Sequence, residues 1–187
     1  MKKKQYLITT LVVLPLVALS TLAMRGLNLP QRQDQPANNL VQAVRQATEP
    51  YQNVEDAEAA GYGQFLGCVS GPQGGAMGVH YPNGELVGDG ILDPAQPEVL
   101  IYEVKNGRYN LVAVEYLVLF DDWNANNESP PVLLGQVFNY VGSPNRYGMP
   151  AFYELHVWAL KNNPNGVFAD WNPQVSCENF EVEAASN

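Results

Sequence analysis

From Gly61 onward, the chain consists of short runs rich in β-branched and aromatic residues, separated by glycine, proline and asparagine. Such runs are typical of strands. Five stand out: GAMGVHY, VLIYEV, YNLVAVEYLVLF, VLLGQVFNYV and FYELHVWAL. Asn106-Gly107 lies between the second and third runs, and this dipeptide is typical of a tight hairpin turn because both residues tolerate a positive φ. Since short connections join antiparallel neighbours, the sequence predicts an antiparallel β-barrel or sandwich over residues 61–182.

Two helices are predicted ahead of this β core, within residues 39–60. NNLVQAVRQATEPY places its apolar residues on one helical stripe and should end before Pro50, which disfavours helix in the residue before it. NVEDAEAAGY has Asn53 as a candidate N-cap and Gly61 as a terminator. The predicted fold class is therefore mainly β (α+β), with one or two N-terminal helices capping a single domain of residues 39–187.

The first 25 residues have the features of an export segment. MKKK is a basic start, and the apolar stretch YLITTLVVLPLVALSTLAM follows it. We interpret residues 1–25 as a signal peptide or an N-terminal membrane anchor, since residues 6–24 approach the roughly 20 residues that span a bilayer. The polar residues 26–38 are interpreted as a linker. The folded domain is therefore expected to be exported, to the periplasm or the extracellular face.

The charge of the chain argues against two classes of partner. The formal net charge is −9, and three of the ten basic residues belong to MKKK. Later in the sequence, no run of lysine or arginine occurs. Because nucleic acids and acidic lipid surfaces are anionic, this chain should repel both. Nucleic acid is not expected as a partner, and a membrane is expected only through an uncleaved N-terminal segment.

Two cysteines lie far apart in the sequence, Cys68 in LGCVSG and Cys177 in QVSCEN. They lack the paired spacing that thiolate metal sites use. In an oxidising compartment, two such cysteines are expected to form a disulfide. The alternative is a pair of buried free thiols.

Both histidines of the chain fall in β-prone runs, together with carboxylates in equally apolar surroundings. In FYELHVW, Glu154 and His156 share one strand face with Trp158, because alternate residues of a strand point to the same side. GAMGVHY contributes His80. LVAVEYLVLF contributes Glu115, which must find a partner or lose its charge if it is buried. The sequence thus predicts that three strands bring four metal-competent groups to one site.

Two imidazoles and one or two carboxylates suit a divalent ion such as zinc, iron(II), manganese or copper(II). Two histidines with one carboxylate leave coordination positions open for water or a substrate, so such a site can serve an enzyme. Glu154 would either bind the ion or accept a hydrogen bond from the ring N–H of a ligating histidine. In the competing interpretation these residues are structural. His156 is then hydrogen-bonded to Glu154 or a tyrosine, and Glu115 is paired with Arg108 or Arg146 or lies on a solvated face of the sheet.

FADWNP, residues 168–173, has the composition of an ordered loop. Asp170 can accept hydrogen bonds from backbone N–H groups, and Trp171 can pack against its neighbours. We interpret this segment as a structural clasp near the predicted disulfide rather than as part of a site.

Several runs resemble a widespread family of small exported bacterial proteins of unknown function: GAMGVHYPN, LVAVEY, LHVWALKNNPNGVFADWNP and VSC. The resemblance covers about residues 47–177. It includes an Asn-Pro-x-Gly turn, which this chain matches with Asn163, Pro164, Asn165 and Gly166. It implies the exported domain and no particular reaction.

Three function classes follow from the sequence. The first is an exported metalloprotein, which an open metal position would allow to act as an enzyme. The second is a non-enzymatic β-barrel that binds a small apolar or aromatic ligand, lined by some of the ten tyrosines. The third is a structural or interaction protein of the cell envelope. Convergence of His80, Glu115 and His156 would favour the first class.

Overall fold

A six-stranded antiparallel sheet forms the centre of this protein. The strands are β1 (Phe65–Gly71), β2 (Gly75–Pro82), β3 (Val99–Lys105), β4 (Arg108–Leu119), β5 (Val132–Leu133), β6 (Gln136–Val137), β7 (Asn139–Val141) and β8 (Phe152–Val157). The order in the sheet is β1-β2-β3-β4-β8-β7, and β5 pairs with β6 separately. Every pairing is antiparallel, and the large sheet curls into a half-barrel. The predicted mainly β, antiparallel fold class is confirmed.

The computed structural model describes residues 34–71 and 74–181, all of which belong to one unit, Gln31–Asn187. Its helices are α1 (Asp34–Ala47), α2 (Val54–Ala59), α3 (Gly84–Val87) and α4 (Phe120–Asn124), with a 3-10 turn at Glu49–Tyr51. The predicted export segment, residues 1–25, lies outside the described residues. Within the described ranges, no helix is long and apolar enough to cross a membrane.

The local signals at the helix ends and at the hairpin behave as predicted. The Asn53 side chain caps α2 by accepting a hydrogen bond of 3.3 Å from the Glu55 backbone N–H. Helix α1 ends ahead of Pro50, which lies in the 3-10 turn. Asn106 and Gly107, with φ of 52° and 71°, connect β3 to β4. Both positive values are what a tight hairpin turn of this kind requires.

Four features of the fold differ from the sequence-based expectation. Helix α1 begins at Asp34, inside the segment interpreted as a linker, because the first turn of a helix tolerates Pro36. The short helices α3 and α4 lie within the predicted β core. Strand β1 was not predicted, since its glycines weaken the strand pattern. VLLGQVFNYV does not form one strand, because Leu134 and Gly135 adopt positive φ and separate β5 from β6.

The two faces of the large sheet are covered differently. Helices α1 and α2 pack onto one face of the sheet, which we call the helix face. Their contacts are made by Leu40, Val44 and Ala57, all fully buried. The second face carries a separate apolar cluster that includes Val99, Leu117, Phe152 and Trp158. On β8, the predicted alternation holds: Tyr153, Leu155 and Val157 belong to the helix-face cluster, whereas Phe152 and Trp158, the residue after the strand, belong to the other cluster.

The predicted disulfide between Cys68 and Cys177 is confirmed. Its Cα atoms are 5.6 Å apart, within the range that the bond allows. It ties β1 to the C-terminal segment. Paired backbone hydrogen bonds of 3.2 and 3.1 Å between Ala76 and Asn172 tie the same segment to β2. The β1–β2 edge and the C-terminal segment are therefore joined covalently and by hydrogen bonds.

Gly75→Ala is expected to lower the free energy of unfolding by about 3 kcal/mol or more, since backbone strain and overlap in a core both act. Gly75 has a φ of +83°, and a Cβ there would overlap the carbonyl oxygen of Asn172. Urea unfolding measures the effect. Gly63→Ala is the matched control, because a Cβ at Gly63 would meet no atom within 4 Å. Equal losses in the two variants would contradict the prediction.

Candidate metal centre

Strands β4 and β8 bring three polar residues to the second face of the sheet. Glu115 lies directly opposite His156 in the register, and Leu117 lies opposite Glu154. Glu154 is therefore a diagonal neighbour of Glu115, close enough for the side chains to interact. All three are buried, with exposed fractions of 4% for Glu115, 4% for Glu154 and 1% for His156.

His80 reaches this group from β2, although β3 lies between β2 and β4. Three interstrand spacings would separate β2 from β8 by about 14 Å in a flat sheet. The ring centroids of His80 and His156 are only 6.0 Å apart. Curvature of the sheet accounts for the difference. His80 Nε2 lies 3.8 Å from Glu115 Oε2.

A fifth polar residue, Asp170, joins the group from the loop after β8. Its Oδ1 lies 3.7 Å from His156 Nδ1 and accepts a hydrogen bond of 3.3 Å from Asn139 Nδ2. The loop is held by Trp158, whose Nε1 donates to the Ala169 carbonyl at 2.6 Å. Asp170 had been interpreted as part of a structural clasp; the structure brings it to the cluster as well.

The five residues form two overlapping groups of potential ligands. The first group is His80, Glu115 and His156, and the second is Glu154, His156 and Asp170. In each group, one nitrogen or oxygen atom per residue lies within 4.8 Å of the others. The convergence predicted for His80, Glu115, Glu154 and His156 is therefore present, and Asp170 is an addition that the strand pattern could not reveal.

Three of the four imidazole nitrogens in this cluster lack hydrogen-bond partners. Both nitrogens of His156 and Nδ1 of His80 are buried and unpartnered among the described residues. Buried polar side-chain atoms in proteins are hydrogen-bonded in the large majority of cases. Three unpartnered imidazole nitrogens on two neighbouring, nearly perpendicular rings therefore need an explanation. They also exclude the structural interpretation in which His156 is hydrogen-bonded to Glu154 or a tyrosine.

Burial controls the protonation of the cluster. It lowers the pKa of His80 to about 4 and that of His156 to about 3, so both imidazoles are neutral at pH 7. It raises the pKa of Glu115, Glu154 and Asp170. The charge of Glu154 raises the pKa of Glu115 further, because two close carboxylates disfavour full ionisation.

No lysine or arginine offsets these acids within residues 34–71 and 74–181. There, the basic side chains within 4 Å of the Glu115 and Asp170 carboxyls are the neutral histidines alone, and Glu154 has no basic side chain at that distance. The expectation that Glu115 could pair with Arg108 or Arg146 is wrong. Arg108 lies opposite Lys105 at the exposed hairpin end, and Arg146 donates to the Ser70 carbonyl at 3.1 Å. The cluster is thus rich in ligand atoms and short of positive charge.

An open cavity of about 210 Å³ adjoins the cluster, with His80, Glu115, Glu154 and His156 in its wall. The rest of its lining is almost entirely apolar and includes Phe65, Leu66, Met77, Val99, Leu117 and Met149. Tyr147 is the one tyrosine that lines it among the described residues. Most buried tyrosines lie on the helix face instead, so a pocket lined by many tyrosines is not what this sheet forms.

Comparison of the chain with protein-family models, with curated proteins and with solved structures found no match. The resemblance to small exported bacterial proteins therefore stays a prediction. What the chain can do is read from the geometry of the cluster and its cavity.

Proposed function

We propose that this chain is an exported metalloprotein that binds one divalent ion between His80, Glu115 and His156. The observation that carries the proposal is the set of buried, unpartnered imidazole nitrogens beside carboxylates that have no cationic partner among the described residues. A divalent ion would bind one of these nitrogens, Nε2 of His156, and would offset the charge of the acids at the same time. A purely structural role would explain neither the unpartnered nitrogens nor the carboxylates without a cationic partner.

The spacing of the ligand atoms supports this proposal. Metal–ligand bonds of about 2.1 Å at a tetrahedral angle place two ligand atoms about 3.4 Å apart. His80 Nε2 and Glu115 Oε2 are 3.8 Å apart, so a shift of a few tenths of an ångström would fit them to a common ion. The same separation is too long for a hydrogen bond between them.

Glu154 and Asp170 would have supporting roles. One nitrogen of His156 can bind the ion while the N–H of the other donates a hydrogen bond to a carboxylate. Asp170 Oδ1 lies 3.7 Å from Nδ1 of this ring, so a shift of a few tenths of an ångström would form this hydrogen bond and leave Nε2 for the ion. Glu154, beside Glu115, would complete the coordination or hold the proton of a bound water. Two histidines and one carboxylate suit zinc, iron(II), manganese or copper(II) and leave positions open.

Export is part of the proposal. The Cys68–Cys177 disulfide is stable in an oxidising compartment and rare in the cytosol. The basic start and apolar stretch of residues 1–25 support the same location. Export would bring the site into contact with small molecules of the periplasm or the outside medium.

Metal loading tests the function. Purified, tag-free protein should retain about one equivalent of zinc, manganese, iron(II) or copper after gel filtration, measured by mass spectrometry of the elements. Glu115→Gln should weaken the affinity by at least about 100-fold, because it removes a charged ligand from a three-ligand site. Glu98→Gln is the matched control, since Glu98 is also a buried carboxyl but lies outside both ligand groups. The metal affinity of Glu98→Gln should equal that of the wild type.

The same measurement can end the proposal. Negligible retention of all four metals by the wild-type protein would refute it, as would equal retention by wild type, Glu115→Gln and His156→Ala. The remaining function would then be a binding module without metal, which the apolar lining of the cavity favours.

A further inference from the structure

The cavity beside the metal-competent cluster indicates what would occupy the open coordination position. We propose that it binds an uncharged, apolar molecule about the size of a monocyclic phenol, whose single oxygen coordinates the ion. This inference rests on the proposed metal centre and names the ligand class of that same site.

The size of the cavity limits the ligand. An engineered cavity of about 150 Å³ in a well-studied lysozyme binds benzene. The cavity here is about 210 Å³, which allows one ring and a few further atoms. A fused polycyclic molecule or a long acyl chain would extend into solvent.

The polar groups of the cavity are the members of the cluster. His80, Glu115, Glu154 and His156 contribute its polar side chains, apart from the hydroxyl of Tyr147, which donates to Met77 Sδ at 3.6 Å. The remaining lining is apolar. A ligand would therefore need one polar end, directed at the ion, and a body without further hydrogen-bonding groups.

The charges in the cluster determine which polar group the ligand can carry. With Glu115 and Glu154 ionised, the charge of a divalent ion is already balanced, and Asp170 adds a further acid nearby. A carboxylate ligand would bring another negative charge into this buried group, which is unfavourable. An ammonium ligand would compete with the ion for the carboxylates. A neutral hydroxyl oxygen avoids both problems.

The mouth of the cavity has an unusual backbone. Phe65 and Leu66 line it and are 38% and 53% exposed. Leu66 has a φ of 58°, where the register between β1 and β2 is interrupted from Phe65 to Cys68. A positive φ is strained for a leucine, and such strain concentrates at functional sites. Two exposed apolar side chains at this position would receive an apolar body entering from solvent.

A matched series of small molecules tests the inference on cobalt(II)-loaded protein. The series is 4-methylphenol, toluene, 4-methylbenzoate and 4-methylbenzylamine, which share a body and differ in the polar end. 4-Methylphenol should change the visible absorption of the bound cobalt. In calorimetry, it should bind at least tenfold more tightly than the other three, and at least tenfold more tightly to loaded than to metal-free protein.

Two glycine variants test the location of the binding. Gly84 lines the cavity, and a Cβ there would meet no atom within 4 Å. Gly84→Phe should therefore fold, fill part of the cavity and weaken binding of 4-methylphenol at least tenfold. Gly63→Phe is the control, because Gly63 has similar free space and does not line the cavity. Both variants should still bind cobalt as the wild type does.

The outcomes separate this inference from the metal centre. Cobalt binding without any response to 4-methylphenol, or equal affinity for 4-methylphenol and toluene, would overturn the inference and leave the metal centre intact. Tighter binding of 4-methylbenzoate or 4-methylbenzylamine would overturn the choice of a neutral ligand. Failure to bind cobalt at all would overturn the metal centre and this inference together.

Discussion

Replacing both cysteines, in Cys68→Ala with Cys177→Ala, is expected to lower the free energy of unfolding by about 4–5 kcal/mol. The bond links residues 109 positions apart, and it restricts the unfolded chain most when the closed loop is long. A domain typically has a total stability of about 5–15 kcal/mol, so the variant should lose about a quarter of it or more. Urea unfolding followed by tryptophan fluorescence measures the change.

The same substitution should weaken metal binding. The disulfide ends the segment that begins with Asp170, and that segment is otherwise tied to β2 through Ala76 and Asn172. Without the disulfide, Asp170 is held less firmly beside His156, so we expect a loss of affinity of about tenfold, the lower end for an orienting carboxylate. Wild-type protein treated with a reductant is the control and should match the variant. Identical unfolding midpoints for oxidised and reduced protein would contradict the prediction.

Strand alternation made most of the candidate site predictable. In FYELHVW, it correctly placed Glu154 and His156 on the face opposite Leu155, because β8 is regular over its whole length. A carboxylate in the apolar run of β4 is conspicuous for the same physical reason, since burial of an unpartnered charge is costly. Glu115 and His156 therefore meet as direct cross-strand neighbours.

Irregular backbone limited the prediction elsewhere. Strict alternation would put Leu111 on the face of Glu115, but the register shifts between Ile101 and Tyr102 and sends Leu111 to the helix face. Such a bulge depends on the partner strand and leaves no clear mark in the local pattern. Asp170 lies in a loop, where no periodicity exists. Its position depends on long-range contacts, such as the hydrogen bond from Asn139.

The metal-free protein is expected to lose stability as the pH rises from about 6.5 to 8. Burial is the main reason that the pKa of Glu98 is raised to about 8; hydrogen bonds such as that from the Leu117 N–H oppose the shift, and the charges of Asp89 and Asp93 add to it. The folded chain therefore holds a proton that the unfolded chain releases near pH 4.5. The contribution of Glu98 to stability is complete below that pH and is lost as the pH rises through 8. The contribution of Glu115 to stability also falls as the pH rises, because burial raises its pKa as well.

The contribution of the histidines to stability has the opposite pH dependence. Burial lowers the pKa of His80 to about 4 and that of His156 to about 3, from 6.5. Their contribution to stability is complete above pH 6.5 and is lost as the pH falls through these values. Between about pH 4.5 and 6.5, the histidines therefore increase the stability with rising pH while the carboxyls decrease it. Above pH 6.5, the carboxyls alone change the stability. The metal-free protein should therefore be more stable between about pH 4.5 and 6.5 than at pH 8.

Denaturation at a series of pH values, in the presence of a chelator, measures this profile. Glu98→Gln should reduce the slope of the unfolding free energy between pH 6.5 and 8 by up to about 1.4 kcal/mol per pH unit, the effect of one proton. A saturating divalent ion should also flatten the slope, because it replaces the proton shared by Glu115 and Glu154. The ion should have no such effect in Glu115→Gln. A level profile between pH 6.5 and 8 in the metal-free wild type would show that these carboxyls release their protons as readily in the folded chain as in the unfolded one.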